Sequence, residues 1–197
     1  MSLPGEVAQL EMAPLERLQE LKRKAVEAQT ARRAGVMVLF YPDLKLQTRF
    51  ALILRKTYKG VHSAQIGFPG GSYEDTDADL MQTALRETEE EIGVPTSDIV
   101  VLKELTHVYI PPSNFYVHPY LGIAQQTPNF VLQESEVDAL VEVDLPQFLS
   151  DDPLTTRVLT TSYAHQIKVP AFELNGHIVW GATAMMLNEV RELLKQL

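Results

Sequence analysis

The chain has 197 residues, 45% hydrophobic and 22% charged, with 17 basic against 26 acidic residues and a formal charge of −9. That composition suits one globular domain large enough to bury a core. The acidic balance argues against a nucleic-acid partner, and the lack of cysteine excludes disulfides, a thiolate nucleophile and cysteine-ligated zinc.

From the N-terminus, Pro14 to about Gln29 reads as an amphipathic helix, with Leu15, Leu18, Leu21 and Ala25 at helical spacing and Pro14 suited to the first turn. Its basic cluster (Arg17, Lys22, Arg23, Lys24, Arg32, Arg33) is read as a solvated face. Residues 1–33 form a helical extension in this reading. It either covers the surface of a homodimer or packs on its own domain, which spans 34–197. Gly35–Tyr41 and Phe50–Arg55 are β-rich runs either side of a Pro42-Asp43 turn signal, and Ile66–Gly71 follows. A helix is predicted from about Asp77 to Ile92. Thr76 and Asp79 offer a capping-box start, Gly93 and Pro95 a stop, and Leu80, Ala84, Leu85, Thr88 and Ile92 the core-facing stripe. Ile99–Leu105, Tyr116–Ala124 and Val137–Val143 are strand candidates, with a helical turn near Pro146–Leu149. Ile167–Glu173 and His177–Trp180 read as a hairpin around Asn175-Gly176, and Ala182–Leu194 as a closing helix. Strands interrupted by two helices fit an α+β fold or a layered α/β/α sandwich.

No run of about 18 apolar residues occurs, so no membrane span is expected. The N-terminal MSLPGEVAQLEM lacks a basic-then-apolar leader, and Lys195-Gln196-Leu197 does not match the Ser-Lys-Leu peroxisomal address. A cytoplasmic location is the expectation.

The most informative stretch is Phe68–Val94, FPGGSYEDTDADLMQTALRETEEEIGV. Within it Arg86, Glu87, Glu90, Glu91 and Gly93 spell R-E-x-x-E-E-x-G. Residues three and four apart share one helix face, so Glu87, Glu90 and Glu91 project together at a cost of roughly 0.2–0.5 kcal/mol per like-charged pair. A divalent cation would offset that repulsion, because hard ions such as Mg²⁺ bind through carboxylates and substrate phosphates. The residues alone therefore point to a metal-dependent phosphate enzyme. The other phosphate signatures, G-x4-G-K-[ST] and G-x-G-x-x-G, are missing.

This stretch resembles the Nudix hydrolase superfamily, whose box is G-x5-E-x7-R-E-U-x-E-E-x-G-U with U apolar. Arg86–Val94 match it, with Thr88 at the first U place. Upstream, six residues on from Gly71 stands Asp77 instead of glutamate, and eight residues instead of seven separate it from Arg86. That spacing after Phe68-Pro69-Gly70-Gly71 resembles the branch that hydrolyses coenzyme A. The branch's upstream signature is similar to Ala51–Lys56, including Arg55, but this chain has Gly60 where arginine and Ala64 where glycine are expected. His62–Ile66 resembles its H-S-G-Q-V, and Gly176–Ala184 its G-H-x-I-W-G-x-T-A.

The resemblance implies an α+β fold built as an α/β/α sandwich with a mixed β-sheet, and hydrolysis of a diphosphate linkage in a CoA-like nucleotide, with Mg²⁺ or Mn²⁺ as cofactor. Glu87 and Glu91 are the expected first metal ligands and Glu90 the third. Arg86 is expected to hold one of these carboxylates by a charge-assisted hydrogen bond. Gly70 and Gly71 would let the loop before the helix turn tightly and shape the metal site, and with Arg55 they are the expected cofactor-binding residues. A further carboxylate from a later loop often serves as base or ligand in the family. Glu134 and Glu136 are candidates, Glu136 preferred, so Glu90, Arg86 and Glu136 make up the expected catalytic set.

Plainer readings stand beside these. Asp77 and Asp79 are expected to cap the helix, and Glu89 to face solvent. His62 either meets substrate phosphate or makes a structural hydrogen bond. His107, His118, His165 and His177 show no ligand spacing, so no zinc site is expected. Trp180 is read as core. Pro111–Phe115 is read as either a substrate-side loop or a plain turn. Three functions remain open: a CoA or acyl-CoA diphosphatase; a Nudix hydrolase for ADP-ribose, NADH or a similar compound; and a catalytically silent nucleotide-binding module.

Overall fold

The computed structural model describes residues 2–14, 30–56, 65–160 and 166–197. The helix expected over Pro14–Gln29 falls almost wholly outside the described residues, as do Gly60, His62, Ala64 and His165. Ahead of that stretch Gly5–Leu10 forms a short helix, α1.

Eight strands form one mixed sheet: β1 (Arg32–Pro42), β2 (Thr48–Arg55), β3 (Ile66–Gly67), β4 (Gly70–Ser72), β5 (Ile99–Glu104), β6 (Val108–Ile110), β7 (Phe115–Ala124) and β8 (Val137–Asp144). Its main path runs β3-β2-β1-β7-β5, with β4 on β1, β6 on β7 and β8 on β2. Among the described residues only the β1–β7 pair is parallel, from Arg32 opposite Phe115 to Phe40 opposite Ile123. A second, three-stranded sheet holds β9 (Leu154–Leu159), β10 (Ile167–Leu174) and β11 (His177–Trp180). Between the last two, Asn175 and Gly176 both take positive φ, the backbone a tight hairpin turn requires.

Strand side chains alternate, so β1 and β2 feed two cores. Met37, Leu39, Tyr41, Ala51 and Ile53 pack beneath helix α2 (Leu80–Ile92). Val38, Phe40, Phe50 and Leu52 face the opposite layer, which contains the short helix α3 (Leu145–Leu149) and the closing helix α4 (Gly181–Leu194). Phe148 links these pieces, its ring 5.0 Å from Phe50 and 5.5 Å from Phe172. Helices on both faces of a mixed sheet give the α+β sandwich that the sequence implies.

The fully buried Glu189 of α4 fastens α1. Its carboxylate accepts from Gln9 Nε2 at 2.8 Å and from Thr106 Oγ1 at 2.6 Å, and Asn188 Nδ2 donates to Ala8 O at 2.7 Å. A buried carboxylate is tolerated here because its oxygens are hydrogen-bonded.

Several elements differ from the sequence expectation. Helix α2 starts at Leu80, not near Asp77, and its N-cap is Asp79, whose Oδ1 accepts from Gln82 N. Thr76 plays no capping part. Asp77 is correspondingly free for another partner. The Ile66–Gly71 run is split into β3 and β4 around Phe68-Pro69; proline offers no N–H, and its carbonyl instead accepts from Met37 N at 2.9 Å. Helix α1 and strands β6 and β9 are additions. The first two are too short to show a period, and β9 alternates without an apolar face.

Candidate active site

Helix α2 lies close over the sheet because Gly35 has no side chain: a Cβ there would stand 2.3 Å from Leu80 O. The stripe Leu80, Ala84, Leu85, Thr88 and Ile92 is buried as expected, and so is Glu91. Gly93 stops the helix in the left-handed region at φ 72°.

Glu91, 1% exposed, is held at both oxygens. Oε2 accepts from Gly70 N at 2.8 Å and Oε1 from Arg55 Nη1 at 2.9 Å. Arg55 also donates through Nη2 to Gly70 O at 2.6 Å, so Arg55, Gly70 and Glu91 form a closed ring of hydrogen bonds. Gly70 sits at φ 147°, and a Cβ there would meet Gly35 O at 2.4 Å. Gly71 leaves the space that Glu87 fills, since its Cβ would be 2.4 Å from that carboxylate. The two glycines do what the motif suggests.

Burial pushes the Glu91 carboxyl up to about 7, against the opposing pull of Arg55 and the Gly70 N–H; Glu87 and Glu136 add repulsion. Burial also raises Glu87, although Arg86 pulls the other way. Two partly desolvated carboxylates on adjacent turns are an electrostatic burden that a bound cation relieves. Glu90 stands at the outer edge, its side chain 55% exposed.

Arg86 is spent on carboxylates. Nε and Nη2 grip Asp77 at 2.8 and 3.0 Å, Nη1 reaches Glu87 at 3.1 Å and Glu90 at 3.0 Å, and Nη2 also meets Ser72 O. The expected carboxylate clamp is present, and it is wider than the sequence suggests. Asp77 corrects the capping assignment. It occupies the box position of the usual glutamate, buried, and accepts also from Thr83 Oγ1 at 2.8 Å. Arg86 and these hydrogen bonds hold its carboxyl well below the usual carboxylate range. The extra residue of the motif is absorbed in the loop that brings Asp77 back to Arg86.

The loop between β7 and β8 closes the far end of α2. Val131 N and Gln133 N donate to Ile92 O and Glu91 O, both at 3.0 Å. These bonds carry Glu136 close enough to raise Glu91, with its own side chain exposed. Glu134 offers its backbone carbonyl to Lys56 Nζ at 2.6 Å.

Beside the carboxylates opens a cleft of about 330 Å³, floored by Arg55, Gly70 and Gly71. Its other walls are largely apolar, with Phe68, Tyr109, Ile110, Pro111, Phe115, Trp180 at the end of β11 and Met185 of α4, while Gln65, Ser72 and Thr183 add polar groups. Trp180 is therefore a half-buried cleft residue, not the core residue expected, and Pro111–Phe115 faces the site. Tyr109, Ile110 and Met185 carry no local signal, because strand β6 and helix α4 meet the site only through the fold.

A family model described as NUDIX domain matches residues 29–160, two thirds of the chain. The chain belongs to the Nudix family. It is similar to the peroxisomal coenzyme A diphosphatase ndx-8 of Caenorhabditis elegans, 28% identical over 174 residues that cover 87% of this chain and 73% of that one. It is also similar to the uncharacterized Nudix hydrolase NudL of Escherichia coli, strain SMS-3-5, at 31% identity over 178 residues, covering 87% and 88%. Among solved structures, the Nudix hydrolase RenU of M. Smegmatis matches at a TM-score of 0.58 and 15% identity over 85% of this chain and 88% of that one, a likeness of fold. As a Nudix hydrolase the protein acts on pyrophosphate bonds, a reaction for which the family uses divalent metal ions.

Proposed function

We propose that this Nudix hydrolase is a Mg²⁺- or Mn²⁺-dependent diphosphatase that cleaves coenzyme A or acyl-CoA to adenosine 3′,5′-bisphosphate and (acyl-)4′-phosphopantetheine. The observation that carries the reading is the desolvated pair Glu87 and Glu91 set directly behind Gly70 and Gly71, the glycines that floor a largely apolar cleft. All the donors there are carboxylate oxygens, which suits a hard cation held by Glu87, Glu91 and Glu90. Bound there, such an ion supplies charge neutralisation for the diphosphate and a more acidic water.

The chain's own residues do the remaining work. Arg55 and the Gly70 N–H fix Glu91, so the carboxylate is oriented before substrate arrives. Arg86 holds Glu87 and Glu90 and is a positioning residue, because its donors already face Asp77, Glu87, Glu90 and Ser72. Glu136, exposed beside Glu91, is assigned as the base that takes the proton of the attacking water. The attack forms one phosphorus–oxygen bond and breaks the bridging one. The apolar wall then accommodates the pantetheine or acyl portion, which a sugar diphosphate lacks. The similarity to a protein named coenzyme A diphosphatase and the Phe68–Gly71 spacing support this choice of substrate.

The test is incubation with CoA, ADP-ribose and NADH in Mg²⁺, with separation of the products. Cleavage of CoA well above the other two is expected. Preferential cleavage of ADP-ribose or NADH would reassign the substrate, and binding of nucleotides without turnover of any would leave a silent module.

A further inference from the structure

On the same face of the sheet as α2, but displaced from the glutamates, three metal-ligating side chains meet. Glu104 ends β5, His107 precedes β6 and His118 lies in β7; the register that sets Glu104 opposite Tyr120 and Val108 opposite Val117 draws them together. Glu104 Oε1 lies 2.9 Å from His107 Nε2 and 2.9 Å from His118 Nδ1, and the three ligand atoms all fall within 4.8 Å of one another. The two imidazole rings lie with centroids 3.7 Å apart and planes tilted by 36°. Tyr120 Oη donates to the same carboxylate oxygen at 3.2 Å. Linear spacing does not show this proximity of His107 and His118, because the strand pairing creates it.

This cluster is distinct from the Nudix carboxylates. In register, Gly71 of β4 pairs with Gly35 of β1, and Gly35 with His118 of β7, so strand β1 separates His118 from the loop under Glu87. We propose that Glu104, His107 and His118 form a second metal site that takes a borderline transition-metal ion of the Zn²⁺ type, joining the β5–β6 turn to β7.

The donor set decides the ion class. Two imidazole nitrogens and one carboxylate suit Zn²⁺, Co²⁺ or Ni²⁺, whereas Mg²⁺ prefers oxygen alone. With bonds of about 2.0–2.1 Å at a tetrahedral angle, neighbouring ligand atoms stand about 3.3 Å apart. The observed 2.9 Å separations are those of hydrogen bonds; a small outward swing of Glu104, whose side chain is 45% exposed, makes room for the ion. That exposure also provides an entry path, and water completes the coordination. Tyr120 orients the carboxylate from outside. The remote nitrogen of His118, Nε2, is buried without a hydrogen-bond partner among the described residues, so the site binds more weakly than one whose ligands are all supported from behind. A metal here tethers His107, the residue just ahead of β6, and β6 with the following turn contributes Tyr109, Ile110 and Pro111 to the cleft wall.

The experiment uses the full chain carrying Glu87→Gln, Glu90→Gln and Glu91→Gln, which removes the Nudix carboxylates as competing ligands. Titration with Co²⁺ followed by visible absorption, and with Zn²⁺ by calorimetry, should show one equivalent bound and not displaced by excess Mg²⁺. Adding His107→Ala and His118→Ala should weaken binding at least tenfold and abolish the Co²⁺ band. Glu104→Gln serves as a second variant if the double histidine change unfolds the chain. An unchanged titration in the histidine variant, or in Glu104→Gln where that replaces it, would overturn the proposal, as would no binding in the parent. Because the Nudix ligands are already removed, either failure leaves the diphosphatase reading untouched.

Discussion

On the carboxylate side of the cleft, Asp77, Arg86, Arg55, Gly70, Glu87 and Glu91 are tied into a lattice of charge-assisted hydrogen bonds between 2.6 and 3.1 Å. On the opposite side, Phe68, Tyr109, Ile110, Pro111, Phe115 and Trp180 line the cleft mainly with apolar surface, and they come from four separate stretches of the chain. Directional bonds fix atoms to within a fraction of an ångström, whereas apolar contacts fix little more than volume. Under the proposed function, the first side would set what bond is broken and the second what is attached to it. Exchanging residues on the apolar side can change the preferred substrate without disturbing the chemistry.

That division can be broken most severely at the glutamates. Glu91→Gln or Glu87→Gln should lower kcat on CoA by roughly 10²–10³-fold, with an unchanged circular dichroism spectrum, because metal-borne charge stabilisation is lost. Full activity in both variants would remove the site assignment. On the apolar side, Trp180→Ala should raise KM for CoA about tenfold with kcat nearly kept, from roughly 1.4 kcal/mol of lost contact. A fall in kcat of the same size in that variant would erase the distinction between the two sides.

Smaller effects sharpen the comparison. Asp77→Asn should cost on the order of 1–3 kcal/mol of stability, because Arg86 loses its strongest partner at a buried position; thermal or denaturant unfolding measures it. The same pair predicts a pH signature. The Asp77 pKa is depressed in the folded state, so its contribution is complete above the ordinary carboxylate range, about pH 4, and is lost as pH falls through the folded value. The wild-type protein should therefore lose stability more steeply in acid than Asp77→Asn. Parallel acid limbs for the two proteins would show that Arg86 does not stabilise the ionised form.

The carboxylate side was largely legible in the sequence because it is local. Arg86 through Gly93 occupy two turns of one helix, and the 3.6-residue period alone sets Glu87 beside Glu91 and buries Leu80, Ala84 and Ile92. Asp77 was misread there. An acid near a helix start has two competing uses, and only the path of the loop shows that Asp79 caps while Asp77 turns back to Arg86. The apolar side was mostly hidden, since Tyr109, Ile110 and Met185 become neighbours only when β6 and α4 dock. The pairing of His107 with His118 was hidden likewise, as it depends on a strand register that residue spacing does not encode.

The parallel pairing of β1 with β7 has a consequence for how the chain reaches this fold. Arg32 meets its partner Phe115 only after 83 further residues have been made, and until then β1 has just short ladders with β2 and β4. A nascent polypeptide must therefore leave the long apolar edge of its first large strand uncovered through most of synthesis. Such a distant closure slows folding. During that interval, adhesion to another copy is the hazard the cell has to manage.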